Sequence, residues 1–154
     1  MEPLLKFQVL TKPLHQPRPR FARRGSFVKA YTPSKVMGRS LPKYLAAIRQ
    51  AAIDAGAVMT SDPLAFELEV VIAPPKTLCR ANGEMKPSSR PFPTARKDGD
   101  VDNYSKNVID QCIGVLFEDD SQVVDLHVTK RWGCESTEGI YVTVRKKGLA
   151  GPGA

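Results

Sequence analysis

The chain has 154 residues, 42% of them hydrophobic, and a formal net charge of +7. That length suits one domain, the apolar content excludes a globally disordered chain, and no run of about 18 apolar residues is available to span a bilayer. Residues 1–97 carry 17 Lys/Arg against 6 Asp/Glu, a balance of +11, whereas residues 98–154 carry 6 against 10, a balance of −4. A basic front attracts a polyanion such as nucleic acid; an acidic back repels it unless a cation lies between them. A solvated basic surface would look the same in charge alone. The N-terminal stretch MEPLLKFQVLTK is too short in its apolar part for a signal peptide and lacks a small-residue cleavage site, so a cytoplasmic protein is expected. Cys79, Cys112 and Cys134 are odd in number and form no C-x-x-C pair, which argues against a disulfide framework or a structural zinc site.

Residues 4–10 read as a first strand. Residues 12–26 follow as a Pro- and Arg-rich loop with five basic residues (Lys12, Arg18, Arg20, Arg23, Arg24) and no acid, prolines there opposing a regular helix or a central strand. Residues 27–31, which include Lys29, suit a short second strand. Ser40-Leu41-Pro42 marks a helix start; Tyr44, Leu45, Ile48, Ala51, Ala52 and Ala55 recur at helical spacing, and Gly56 is a stop. Residues 65–73 alternate, with Phe66, Leu68, Val70 and Ile72 on one side and Glu67 and Glu69 on the other, as in a half-buried strand. Residues 74–97 hold five prolines and six basic residues (Lys76, Arg80, Lys86, Arg90, Arg96, Lys97) and read as a long loop, functional or disordered. Residues 102–116 read as the second helix, with an apolar stripe of Val101, Tyr104, Val108, Cys112 and Val115 joined by Ile109 and Leu116. Strands are expected at 122–130 and 139–145, then a frayed tail, 148–154, beyond a single domain over 1–147. The order β-β-α-β-α-β-β gives an α/β or α+β domain, a mixed sheet packed with two main helices.

Two carboxylate clusters flank the second helix. Asp98, Asp100 and Asp102 alternate just before it, and Glu118-Asp119-Asp120 follow its far end. Like charges this close repel. Three readings compete for the first cluster: a helix cap, with the N-terminus favouring negative charge; an EF-hand loop; and a Mg²⁺ site, since Mg²⁺ takes a few carboxylates, waters and substrate phosphate. The EF-hand reading fails, because counting from Asp98 position 6 is Asn103 rather than Gly and position 12 is Ile109 rather than Glu. Lys106, one turn after Asp102, suits either an ordinary surface ion pair or a cation held beside a phosphate. A helix from Asp102 to Leu116 is about 21 Å long, and the five residues 117–121 reach at most about 17 Å. Asp120 can therefore join Asp100 and Asp102 only by a tight return within one subunit, or from a second subunit. His15 and His127 are expected to be structural rather than ligands, and Tyr104 and Trp132 to serve packing.

Asp100-x-Asp102-Asn103-x-x-Lys106, then Asp110, then Asp119-Asp120-Ser121-Gln122-Val123 resembles the RusA family of Holliday junction resolvases, whose pattern is D-x-D-N-x-x-K, a further helical Asp, and D-D-x-Q-V. Pro17-Arg18-Pro19-Arg20-Phe21 and Tyr31-Thr32-Pro33 also resemble segments of that family, and the likeness spans roughly residues 5–146. The resemblance implies a RusA-like homodimer, a crossover junction endodeoxyribonuclease that binds four-way DNA junctions and cuts them symmetrically with Mg²⁺, for which Mn²⁺ can substitute. Carried over by position, Asp100, Asp102 and Asp120 are the essential carboxylates, Asp119 an accessory metal ligand and Lys106 the catalytic lysine. The basic residues Arg18, Arg20, Arg23, Arg24, Lys29, Lys76, Arg80, Lys86, Arg90, Arg96 and Lys97 are the candidate DNA contacts. Two rival classes share these features: a nuclease for flaps or other branched DNA, and a non-catalytic basic nucleic-acid-binding module.

Overall fold

A computed structural model of the chain describes residues 2–15, 20–31 and 40–148. The main sheet has four strands: β1 (Leu5–Val9), β4 (Leu64–Ile72), β5 (Val123–Trp132) and β6 (Gly139–Lys146), in the order β1-β6-β4-β5. β6 runs antiparallel to β1 and β4, while β4 and β5 are parallel. Helices α1 (Ser40–Asp54) and α2 (Val101–Cys112) cover one face, so the expected mixed sheet with two main helices is what the chain forms. Among the described residues no helix is long and apolar enough to cross a membrane.

The alternation in the sequence decides which face is covered. Leu5, Phe7 and Val9 of β1, Phe66, Leu68 and Val70 of β4, and Ile140, Val142 and Val144 of β6 are buried. They meet Tyr44, Ile48 and Ala52 of α1 and Tyr104, Val108 and Cys112 of α2, each set spaced four residues apart along its helix. The opposite face is solvated and laced by charge: Glu67 pairs with Arg145 at 3.0 Å and Glu69 with Arg131 at 2.6 Å. Such exposed pairs contribute at most about 1 kcal/mol each, and here they mark the register more than they hold the fold. α1 ends as its Gly56 indicates: Gly56 has φ 91°, and the Ala57→Ala52 and Gly56→Ile53 backbone hydrogen bonds form a Schellman closure.

Four expectations need correction, the first being Val101, which is 39% exposed rather than part of the buried stripe of α2. Arg20–Arg24, placed in a loop by the sequence, is a strand, β2, paired antiparallel with β3 (Phe27–Tyr31) around a two-residue Gly25-Ser26 turn. Gly25 takes φ 59°, the positive φ that the first position of a type II′ hairpin turn requires. α2 stops at Cys112, not at 116, because Gly114 turns at φ 80° and Leu116 bonds back to the Cys112 carbonyl. Val115 and Leu116 are buried from a turn while mimicking a helical stripe. Residues 74–97 are tied into place: Lys86 N–H donates to the Leu78 carbonyl at 2.9 Å, the Ser89 hydroxyl to the same carbonyl at 2.8 Å, and Cys79 bridges Met85. Pro17-Arg18-Pro19, Thr32-Pro33 and the 149–154 part of the tail lie outside the described residues.

The turn after α2 drives Phe117 beneath the sheet, fully buried and edge-on to Phe66 with centroids 6.0 Å apart. Phe117→Ala should cost about 3–5 kcal/mol, transfer and cavity terms together. Equilibrium urea unfolding measures it, and a loss under about 1 kcal/mol would mean this turn is not anchored by its aromatic ring.

Candidate metal centre

The first carboxylate cluster separates into one structural residue and two exposed ones. Asp98 is 7% exposed. Its Oδ2 accepts from Arg90 Nη2 at 2.9 Å, from Arg90 Nε at 3.3 Å and from the Ala95 N–H at 2.9 Å. Arg90 in turn lies over the Trp132 ring, 5.2 Å from its centroid, and its carbonyl accepts from Trp132 Nε1 at 3.1 Å. The pair thus clasps the 90–98 segment to the end of β5.

Next in the chain, Gly99 has φ 80°, and a Cβ there would lie 2.8 Å from both His15 Nδ1 and the Tyr104 ring. Only glycine fits. The Gly99 carbonyl accepts from Lys130 Nζ, and the buried Tyr104 hydroxyl donates to the Asp98 carbonyl. Asn107, also buried, donates to the Leu14 carbonyl at 2.8 Å and holds the 12–15 segment on α2, which sets His15 edge-on to Tyr104. A turn pinned on three sides therefore delivers Asp100 to the start of α2.

Asp100 occupies the N-cap position with extended φ −100° and ψ 146°, yet its carboxylate makes no capping hydrogen bond. Asp100 and Asp102 are both exposed at the helix N-terminus, where the dipole favours anions. His15 and Lys130 stand close by. Burial holds the His15 pKa below its usual value; the Asp100 charge opposes that shift and the Lys130 charge adds to it. Sequence reading dismissed His15 and never singled out Lys130. No local signal marks either one, because both reach the turn through tertiary packing. Lys106 is 57% exposed, its Nζ 3.4 Å from Asp110. His127 is exposed on the solvated sheet face rather than packed as a core histidine.

Asp119 and Asp120 lie elsewhere. They precede β5 in an exposed turn, where the Asp119 side chain accepts the Ser121 N–H at 2.8 Å. That backbone donor, followed by the Ser121 hydroxyl and the Asp120 side chain, holds the Asp119 carboxyl below the usual carboxylate range. Gln122 explains its place in the motif: its Nε2 donates to the Thr60 and Asp62 carbonyls at 2.9 and 3.3 Å, and its Oε1 accepts the Glu118 N–H at 3.1 Å. Lys130, which touches Gly99, is seven residues along β5 from Val123, about 23 Å at a strand's rise. Asp120 thus sits at the opposite end of β5 from Asp100 and Asp102, and among the described residues no three His, Cys, Asp or Glu side chains gather as a metal site within one chain. The donor chemistry nonetheless suits Mg²⁺, which takes one or two carboxylates and fills its remaining positions with water and phosphate oxygen.

Of the basic candidates, Lys76, Arg80, Lys86, Arg96 and Lys97 are exposed, with Lys86 Nζ also donating to the Thr77 carbonyl at 3.1 Å. Arg90 is engaged with Asp98. Arg20, Arg23, Arg24 and Lys29 are placed along the β2–β3 ribbon by their backbone alone, and Arg18 lies outside the described residues.

The family model described as "Endodeoxyribonuclease RusA" matches residues 11–145. A protein of Bacillus subtilis (strain 168), named "Uncharacterized protein YqaN", is 29% identical over 126 residues, 82% of this chain and 86% of that protein.

The Arg90–Asp98 clasp makes a testable demand. Asp98→Asn weakens the acceptor for a partly buried guanidinium and should cost about 1–3 kcal/mol. It should also open the exposed Arg96 and Lys97 to trypsin under native conditions. Unaltered unfolding and an unaltered tryptic pattern would remove the clasp from any anchoring role.

Proposed function

The chain belongs to the RusA endodeoxyribonuclease family, and from that premise we propose that it is a cytoplasmic, Mg²⁺-dependent nuclease that resolves four-way DNA junctions as a homodimer, by paired symmetric nicks. The observation that carries this reading is the placing of two exposed aspartates just past Gly99, whose carbonyl Lys130 of the edge strand binds, with a third held at the far end of that strand.

That separation points to a site shared between two copies. β5 ends the sheet order, so one side of a ten-residue strand is left without a partner among the described strands, and Val124 (59%) and Leu126 (46%) are exposed along it. An open strand edge of this length is a template for strand pairing. Antiparallel pairing of β5 with its twin about a two-fold axis is isologous. It turns the Asp120 end of one copy toward the Asp100 and Asp102 end of the other, and does so twice. Asp100 and Asp102 of one copy and Asp120 of its partner, with Asp119 accessory, would hold the Mg²⁺, a place Mn²⁺ can also take. When bound, the ion supplies charge neutralisation at the phosphate and lowers the pKa of water there. The protein's own groups do the rest. Asp100 and Asp102 are presented by a backbone fixed at Gly99, so little reorders on binding. Lys106, on the same exposed helix face as Asp102 and Asp110, offers a positive charge for the phosphate oxygens as negative charge grows on them. The basic ribbon 20–31 and the segment 74–97 hold the DNA arms through phosphates without reading sequence. Products with a 5′-phosphate and a 3′-hydroxyl follow from attack at phosphorus with the 3′ oxygen leaving.

Mixing tests the shared site. Asp102→Asn and Asp120→Asn should each abolish cutting of a synthetic four-way junction in Mg²⁺, as EDTA should for the unmodified protein, while leaving junction binding. Co-refolded together, the two variants should recover nicking, because each mixed dimer then carries one intact site and one doubly damaged one. Recovery cannot occur if every site draws all its carboxylates from one chain. The same assay run on three-way, flap and linear DNA decides between junction resolution and a broader branched-DNA activity. Junction affinity should fall steeply between about 50 and 200 mM salt; a flat response would detach the basic segments from DNA binding.

A further inference from the structure

A cavity of about 800 Å³ opens between the 74–83 stretch and the turn joining β5 to β6. Its size is that of a small-ligand site. It lies at the carboxyl ends of the parallel pair β4 and β5, the side of the sheet on which the Asp100 turn is fixed. Gly133, on its wall, is three residues beyond Lys130, about 10 Å along the chain.

Both walls are firm. Gly133 packs so closely that a Cβ would fall 2.3 Å from Val71 Cγ1. The turn is closed by Thr137 N–H and Glu138 N–H on the Cys134 carbonyl, at 3.0 and 2.8 Å. The facing wall is held by the Cys79–Met85 bridge and by Arg80 N–H on the Glu84 carbonyl at 2.7 Å. Into this space come two cations, Lys76 and Arg80, neither of them in an ion pair among the described residues, and one carboxylate, Glu135. Cys134 and Ser136 complete the polar lining.

Two cations without an ion pair among the described residues, lining one cavity with a single carboxylate, match a phosphate joined to a base edge that bears an amino group. Arg and Lys bind phosphate oxygens, and a carboxylate accepts from an exocyclic amine. Resting on the nuclease reading above, we propose that this cavity seats one unstacked nucleotide of the bound DNA next to the phosphate that is cut, its phosphate against Lys76 and Arg80 and its base edge against Glu135, and that it thereby sets the sequence preference of cleavage. A branch point suits this, since unstacking costs least where pairing is already interrupted.

Cys134 reports occupancy of the cavity. The Ser136 and Thr137 hydroxyls bring its thiol down to about 7, whereas burial pushes Cys112 up to about 12 and keeps it unreactive. Iodoacetamide labelling at neutral pH, on the Asp102→Asn protein so that the DNA stays whole, should slow about tenfold at Cys134 when four-way junction is present at about ten times its Kd. Linear duplex at the same concentration should not protect it. In parallel, Glu135→Gln in the otherwise unaltered protein should redistribute cut positions on a junction whose branch point can migrate through varied sequence. If junctions are bound and cut while Cys134 labels at its free rate, or if Cys134 is protected but Glu135→Gln cuts where the parent does, the nucleotide pocket is wrong and the nuclease reading stands. A protein that neither binds nor cuts junctions fails at the earlier step.

Discussion

The parallel pairing of β4 with β5 governs the geometry of everything else. A parallel neighbour must be reached by a crossover, so the chain leaves the end of β4 at Ile72, passes through the clasped segment and α2, and returns to the start of β5 at Val123. α2 spans that return. Whatever stands at its beginning is fixed near the carboxyl ends of the two strands, and whatever stands after its end is fixed near their amino ends. Asp100 and Asp120 are parted by this one topological fact. Within the described residues of one copy no three such side chains gather, and the two-fold pairing of β5 edges proposed above is what would unite them.

Two aspartates two residues apart illustrate how environment assigns roles within one motif. Asp98 is buried and saturated by Arg90 and the Ala95 N–H, so its charge is spent on holding a loop. Asp100, just past the glycine hinge, is exposed and makes no capping bond. In sequence they belong to one run of alternating acids. Gly99 divides them, because its positive φ and the close approach of His15 and Tyr104 turn the chain over between the two.

What could be read from the chain alone is what local physics controls. The period-two pattern of β4, the start and glycine stop of α1, and the stripe through Tyr104, Val108 and Cys112 each follow from neighbours close in sequence. The carboxylate motif was legible for the same reason, its residues being close together and alike in type. β2 was missed because five residues with three arginines show no apolar alternation, and as half of a two-stranded ribbon it belongs to no layer of the main sheet. The end of α2 was overrun because Val115 and Leu116 continue the helical spacing while a turn buries them. The order of residues 74–97 depends on bonds to Asp98 and Trp132, and the company of His15 and Lys130 around Asp100 depends on residues 30 positions away on the Lys130 side and 85 on the other. Contacts of that kind leave no trace in a local window.

The open edge of β5 has a chemical consequence of its own. In the shared centre proposed above, the third carboxylate would come from another copy, and a solitary chain would be inert however well folded. Nicking competence would then be a second-order event, at a place where two molecules have already met. The pairing that completes one centre would complete its counterpart on the opposite strand, so hydrolytic power would be created in pairs and vanish in pairs. Dilution alone would then safeguard intact duplex, the branched substrate being the surface on which two harmless halves are gathered.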